Sequence, residues 1–164
     1  MATPVPDADA IHDVAIVGAG PAGCAAALAA ARHGATAALL DRYEFPRDKP
    51  CGDGIAPEVL AVLDRLGVTR LIDGFRPVPR LRAVGPGGGQ AARPMPTVVH
   101  TIPRTVFDAR LHRAALAAGA TFLRRAVHNI RERRDHVEVD DVTARVVIGA
   151  DGARRWCAGT LAVR

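Results

Sequence analysis

The chain has 164 residues, 49% of them hydrophobic and only 4% aromatic, which predicts one globular domain with a core of small and aliphatic side chains. The formal net charge of +5 does not indicate nucleic-acid binding, because the arginines are spread along the chain and no aromatic residues interleave their densest cluster. The three cysteines, Cys24, Cys51 and Cys157, show neither a disulfide framework nor metal-type spacing, so we expect a reducing, cytoplasmic setting and no metal site.

The uncharged stretch at residues 14–31 has about the length of a membrane span. Gly18, Gly20 and Pro21 interrupt it, however, so we predict no transmembrane segment. We interpret the region as a βαβ unit. Its parts are the strand DVAIVGAG, the helix PAGCAAALAAARHG and a second strand, ATAALLD, which ends at Asp41.

The elements after this unit begin with a loop rich in proline and glycine, RDKPCGDG (residues 47–54), which is too turn-prone for a helix or strand. A helix is predicted in APEVLAVLDRLG, with an apolar face formed by Val59, Leu60, Leu63 and Leu66. A hairpin follows in LRAVGPGGGQAARPM. The segment TVFDARLHRAALAAGA predicts an amphipathic helix with Thr105 as its N-cap and Gly119 at its end.

Short strands are predicted in TFLRR, AVHNIRER and HVEVD, the last two forming an antiparallel ribbon. The apolar run ARVVIGADG predicts a buried strand. These elements indicate an α/β, Rossmann-like fold with a parallel sheet and an inserted antiparallel ribbon. We expect residues 1–10 to be a disordered leader, residues 11–155 to form the domain and residues 156–164 to be an atypical tail.

A nucleotide site is predicted where the first strand meets the first helix. Gly18, Gly20 and Gly23 form a G-x-G-x-x-G motif in the required strand–turn–helix context, so the helix N-terminus can receive a pyrophosphate. Asp41 ends the second strand, 23 positions after Gly18, where a carboxylate suits a ribose diol. It disfavours a 2′-phosphate, so FAD or NAD is expected rather than NADP. The alternative is that the glycines only serve a tight turn.

Three stretches in the same order resemble the FAD-dependent oxidoreductases of the aromatic-hydroxylase-like superfamily. They are DVAIVGAGPAGCAAALAAARHGATAALLDR, IPRTVFDARLHRAALAAGA and IGADGARR. The loop in FPRDKPCGDGIAPEVLAVLDRLG narrows the resemblance to the geranylgeranyl reductase branch, which includes reductases of menaquinone side chains. The resemblance covers residues 12–155 and implies a Rossmann-like FAD-binding fold with FAD as cofactor.

The resemblance also implies a role for particular residues. The loop with Gly18, Gly20, Pro21, Ala22 and Gly23 would hold the FAD pyrophosphate. The adenosine end would contact Asp41, Arg42 and the backbone of Val127, which we expect in a core strand.

Arg104 would contact the phosphate–ribitol region, and Asp151 and Gly152 the middle of the cofactor. Cys51, with Gly52, would lie near the flavin ring. Because a flavin transfers hydride itself, we assign Cys51 no covalent role and name no catalytic residue. Arg42 and Arg104 could instead be solvated surface charges. Asp108 could pair within its helix rather than organise a site.

The function implied is an FAD-binding oxidoreductase domain, from a reductase of isoprenoid double bonds in geranylgeranyl or menaquinone side chains. NAD(P)H or another donor would supply electrons. The substrate would be an isoprenoid or quinone, which allows peripheral contact with a membrane. Two alternatives stay open: a non-catalytic FAD-binding remnant and a flavin-dependent monooxygenase of the hydroxylase type.

The resemblance also predicts that a substrate domain is missing, and that the reading frame departs from the family near Arg155. The exposed edge where that domain would dock is expected to be apolar. Sequencing the DNA past Arg164 tests this truncation, because an intact gene would show neither an alternative frame nor a family-like continuation.

Overall fold

A computed structural model of the chain describes residues 11–154 and Cys157. The leader predicted at residues 1–10, the frame departure at Arg155 and the rest of the tail lie outside the described residues. In chain order the elements are β1 (His12–Val17), α1 (Pro21–Arg32), β2 (Ala37–Asp41), β3 (Gly54–Ile55), α2 (Pro57–Arg65), β4 (Pro77–Val84), β5 (Gln90–Thr101), α3 (Arg104–Ala117), β6 (Thr121–Arg124), β7 (Ile130–Glu132), β8 (Val137–Val139), β9 (Val142–Gly149) and a 3₁₀ turn at Gly152–Arg154.

The main sheet has six strands in the order β6-β2-β1-β9-β8-β7. The first four are parallel, and β8 and β7 continue the sheet as an antiparallel ribbon. Because β2 returns beside β1 after the helix α1, the chain makes a βαβ crossover and buries both strands. This confirms the predicted α/β fold with a parallel sheet and an inserted ribbon.

Two hydrophobic clusters cover the two faces of this sheet. Ile16 and Leu39 point to one face, where α1 and α3 bury them together with Phe107. Ala15 and Leu40 point to the other face. The division follows from the two-residue period of side chains along a strand.

A second, three-stranded sheet has the order β3-β5-β4. The antiparallel pairing of β4 with β5 forms the predicted hairpin, with Val84 opposite Gln90 next to the glycine-rich turn. The short strand β3 joins its other edge, where Ile55 pairs with His100. The loop before β3 is therefore fixed to the end of β5, next to the start of α3.

The structure corrects two helix predictions. In α2, Leu63 is buried and Leu60 and Leu66 are half-buried, but Val59 is exposed, because only a narrow stripe of this peripheral helix meets the core. Helix α3 begins at Arg104 with Pro103, not Thr105, at the N-cap position. The Pro103 carbonyl accepts the first helical N–H groups, and the fixed φ of proline suits this entry.

The strand β9 is buried only in its first half. Val142 and Ala144 lie in the core, whereas Val146 is 52% exposed and Ile148 39%. The predicted buried strand is thus only partly buried, because the three-residue β8 pairs only with the first half of β9. The apolar surface at Val146 and Ile148 is compatible with the expected apolar edge, and what would cover it stays a prediction. None of the helices within residues 11–154 has the length and apolar composition needed to cross a membrane.

Candidate cofactor site

The loop with the G-x-G-x-x-G motif, from Gly18 to Gly23, lies where the carboxyl ends of β1, β2 and β9 meet. Gly18 has φ 106°, and a Cβ atom there would come within 2.3 Å of the Ala150 carbonyl oxygen. A Cβ atom on Gly23 would lie 1.8 Å from the Gly18 carbonyl oxygen. These two glycines are therefore required by the close packing of the loop, the helix and β9.

Gly20 has no such packing role. The nearest atom to a Cβ built on it is a guanidinium nitrogen of Arg47, at 3.8 Å. Gly20 is also the N-cap residue of α1, and no side chain caps that end. Pro21 and Ala22 follow in the first turn, so the helix presents backbone N–H groups beside open space. A turn-only interpretation explains Gly18 and Gly23 but leaves Gly20 unexplained.

The carboxylate of Asp41, at the end of β2, accepts hydrogen bonds from the loop after β1 and from the loop after β2. Its Oδ2 accepts a hydrogen bond from the Ala19 N–H at 2.9 Å, and its Oδ1 one from the Tyr43 N–H at 3.0 Å. Arg47 adds an ion pair at 3.3 Å. Oδ2 thus accepts from two donors and Oδ1 from one, so Oδ1 keeps one acceptor site for a ribose hydroxyl. Arg42, next in the chain, is exposed, with its guanidinium 5.8 Å from the Tyr43 ring.

Val127 lies close to this adenosine end but not in a strand. It is half-buried in the segment between β6 and β7 and packs against the second core cluster. The prediction of a core strand was wrong here, since Arg125 donates its backbone N–H to the Asp41 carbonyl at 2.8 Å and then the pairing with β2 stops. That hydrogen bond brings the segment with Val127 to the end of β2.

Arg104 and Asp108 form a bidentate pair at the start of α3. The guanidinium donates from Nε to Oδ1 and from Nη2 to Oδ2, both at 2.6 Å. Asp108 is 1% exposed and raises the pKa of Arg104. Asp108 therefore pairs within its helix, and Arg104 is a largely buried charge rather than a solvated one.

Cys51 stands exposed beside this pair, followed by the exposed Gly52. The neighbouring Asp53 N–H and Arg104 guanidinium lower the pKa of the Cys51 thiol. Cys24 differs, because burial raises its pKa to about 12.

The turn formed by Asp151 and Gly152 follows β9 at the same edge of the main sheet. Gly152 has φ 77°, and a Cβ atom there would lie 3.1 Å from the Lys49 ammonium nitrogen. Asp151 accepts a hydrogen bond from the Cys157 N–H at 3.0 Å. Cys157 is buried against Gly149, and burial raises its pKa to about 11. The turn therefore lies against the RDKPCGDG loop.

That loop contacts each of the predicted motifs: Arg47 lies beside Gly20, Lys49 beside Gly152 and Cys51 beside Arg104. Gly20, Asp41, Arg104 and Gly152 thus lie around one loop at one edge of the sheet. Sequence reasoning missed Arg47 and Lys49. The only available signal was their place in a motif already singled out for Cys51.

These residues fit a dinucleotide. Gly20 leaves space at an uncapped helix N-terminus, where a diphosphate is stabilised, and Asp41 lies at the end of the neighbouring strand. The model of a family described as "FAD binding domain" matches residues 12–164. The chain therefore belongs to this family of FAD-binding oxidoreductase domains, and the resemblance found in the sequence is confirmed.

Among characterised relatives, the menaquinone reductase of Mycolicibacterium smegmatis is 40% identical over 87% of this chain and 38% of its own length. The geranylgeranyl diphosphate reductase of Rhodobacter capsulatus is 35% identical over 87% of the chain and 38% of its length. The chain thus spans about two fifths of the length of these relatives. The structure of the p-nitrophenol 4-monooxygenase PnpA from Pseudomonas putida superposes with a TM-score of 0.76 at 21% identity, covering 92% of this chain and 43% of that one. At this identity the superposition shows the fold alone.

Proposed function

We propose that this chain is the FAD-binding part of a reductase that saturates isoprenoid double bonds, in a geranylgeranyl group or a menaquinone side chain. The observation that carries the proposal is the 40% identity to a menaquinone reductase over 87% of the chain, a span that includes the RDKPCGDG loop. The monooxygenase alternative has support only from similarity of fold. The reductase activity is proposed for a polypeptide that contains the rest of such an enzyme, since this chain spans two fifths of the relative.

In this proposal the chain's own residues bind and orient the cofactor. The loop from Gly18 to Gly23 receives the diphosphate, Asp41 and Arg42 the adenosine end, with the Val127 backbone near the adenine. Arg104, held by Asp108, would lie along the phosphate–ribitol portion.

Cys51 and Gly52 would border the flavin ring, and Asp151 and Gly152 the middle of the cofactor. When bound and reduced by a donor, the flavin would supply the hydride for alkene reduction, so no protein nucleophile is required. The Cys51 thiol would act by position, next to the guanidinium of Arg104. NAD(P)H or another donor would reduce the flavin, and the isoprenoid substrate would bring the protein from the cytoplasm to a membrane surface.

The proposal is tested with FAD and a purified polypeptide that contains this chain together with the rest of such an enzyme. After anaerobic chemical reduction, the return of the oxidised-flavin absorption band is followed with menaquinone or geranylgeranyl diphosphate, and with the same compounds carrying fully saturated chains. Saturated chains control for electron transfer to the head group. We expect faster reoxidation only with the unsaturated chains. Bound flavin with equal rates for both would support a non-catalytic remnant, and substrate-dependent oxygen consumption would support a monooxygenase.

A further inference from the structure

Arg47 is a largely buried charge that lies between Asp41 and Gly20 in the candidate dinucleotide site. Its side chain is 15% exposed, and its Nη2 lies 3.3 Å from Oδ2 of Asp41. Its guanidinium carbon is 5.0 Å from the centre of the Phe45 ring and 5.8 Å from that of Tyr43. The aromatic rings and the carboxylate therefore fix the position of the guanidinium.

The donors of Arg47 are not used up by Asp41. A guanidinium has five N–H donors, and the described contacts with Asp41 employ one nitrogen. The Nε atom is buried and has no hydrogen-bond partner among residues 11–154 and Cys157. Leaving a buried donor of a charged group unsatisfied is costly, which indicates that this side chain is shaped for an additional acceptor.

The acceptor can be located from the neighbouring backbone. Nη2 of Arg47, the nitrogen that also pairs with Asp41, lies 3.8 Å from the position of a Cβ atom on Gly20, so the guanidinium borders the space that Gly20 leaves open. This is the space beside the uncapped N-terminus of α1. An anion bound there by backbone N–H groups would lie within reach of the planar guanidinium, which is well suited to phosphate oxygens.

We propose that Arg47 is a diphosphate-binding residue of this site, held in place by Asp41, so that one guanidinium connects the ribose-binding carboxylate with the phosphate-binding loop. The inference rests on the dinucleotide site of the proposed function and is independent of the reductase chemistry. The competing interpretation is that Arg47 only neutralises Asp41. The two interpretations differ in which part of the nucleotide loses affinity when Arg47 is changed.

The test measures the dissociation constants of ADP and of adenosine by calorimetry for the full chain. Arg47→Met keeps apolar contact with the rings but removes the charge, and Arg47→Lys keeps the charge but removes the fork. Arg65→Met is the matched control for the loss of one positive charge, because Arg65 is an exposed residue of α2. Thermal unfolding without ligand shows that each variant is folded.

For Arg47→Met we expect the dissociation constant for ADP to rise about tenfold to a hundredfold, the effect of losing hydrogen bonds to a charged group. That for adenosine should change by less than about threefold. Arg47→Lys should give a smaller loss, again confined to ADP, which keeps the test decisive if Arg47→Met does not fold. Arg65→Met should leave both constants unchanged.

Equal losses for ADP and adenosine would overturn the proposal in favour of a role through Asp41 alone. An unchanged ADP constant in both Arg47 variants, or no ADP binding by the unaltered chain, would also overturn it. Failure of the reductase assay with the ADP-specific loss intact would refute the proposed activity and leave this inference standing.

Discussion

Adding one methyl group at Gly23 should lower stability, whereas adding one at Gly20 of the same motif should weaken cofactor binding. In Gly23→Ala the new Cβ atom would lie 1.8 Å from the Gly18 carbonyl oxygen, which is backbone and cannot rotate away. In Gly20→Ala the nearest atom is Nη2 of Arg47 at 3.8 Å, an ordinary contact distance, and φ is −70°. The first change should therefore affect folding and the second should affect the ligand.

The magnitudes follow from these distances. Overpacking against backbone costs about 3 kcal/mol, and for a chain of this size that lowers the Tm of Gly23→Ala by about 6–12 °C. Gly20→Ala should lose less than about 1 kcal/mol, the difference between glycine and alanine at an N-cap. Its FAD dissociation constant should rise at least about tenfold, because the methyl group occupies the space beside the helix N-terminus and displaces hydrogen bonds to the diphosphate.

The assays are thermal unfolding by circular dichroism without ligand and FAD titration followed by flavin fluorescence. Gly87→Ala is the matched control, because Gly87 lies in the exposed hairpin turn with nothing within 4 Å, and it should be neutral in both assays. Two results would refute the reasoning: a Gly20→Ala protein that binds FAD as tightly as the unaltered chain, or one that loses as much stability as Gly23→Ala.

Three further predictions concern the polar groups around the site. Asp108→Ala leaves the guanidinium of Arg104 buried without its partner, so urea unfolding should show a loss of about 3–5 kcal/mol; a loss below about 1 kcal/mol would contradict the buried pair. Cys51 alone should react with a thiol reagent in the folded chain, and all three cysteines should react in denaturant, because its pKa is lowered and the other two are buried. Burial lowers the pKa of His112, so below a pH of about 6.5 the unfolded chain binds more protons and stability falls as the pH falls. His112→Phe should flatten that acid limb of the unfolding free energy, and identical limbs would contradict this account.

The βαβ unit, the hairpin and the helix α3 could be predicted because their signals are local. The apolar runs, the glycine after the first strand and Asp41 all act within a few residues of where they stand. The wrong predictions concern features that depend on contacts with distant parts of the chain. Val146 and Ile148 belong to an apolar run that is typical of a buried strand. Their exposure, however, depends on how far the short β8 extends beside them.

In the candidate site, too, local patterns could be predicted and contacts between distant residues could not. Gly18, Gly20 and Gly23 were predicted together from their spacing, but only the fold separates the two that pack from the one that leaves space. Arg47 was missed because its contact with Gly20 spans 27 positions of the sequence and crosses from one loop to another. Nothing in the periodicity of RDKPCGDG distinguishes that arginine from a solvated one.

The alternation of burial in this loop suggests why its sequence is so unusual. From Phe45 to Pro50, inward and exposed residues alternate as they would along a strand, with Phe45, Arg47 and Lys49 inward. Yet these six residues pair with no strand among those described, and two of the inward side chains are cations. Inward cations would be unfavourable against a hydrophobic core, but here Arg47 reaches Gly20 and Lys49 reaches Gly152. In this segment Phe45 therefore packs on the core, whereas Arg47 and Lys49 lie beside two glycines of the candidate cofactor site.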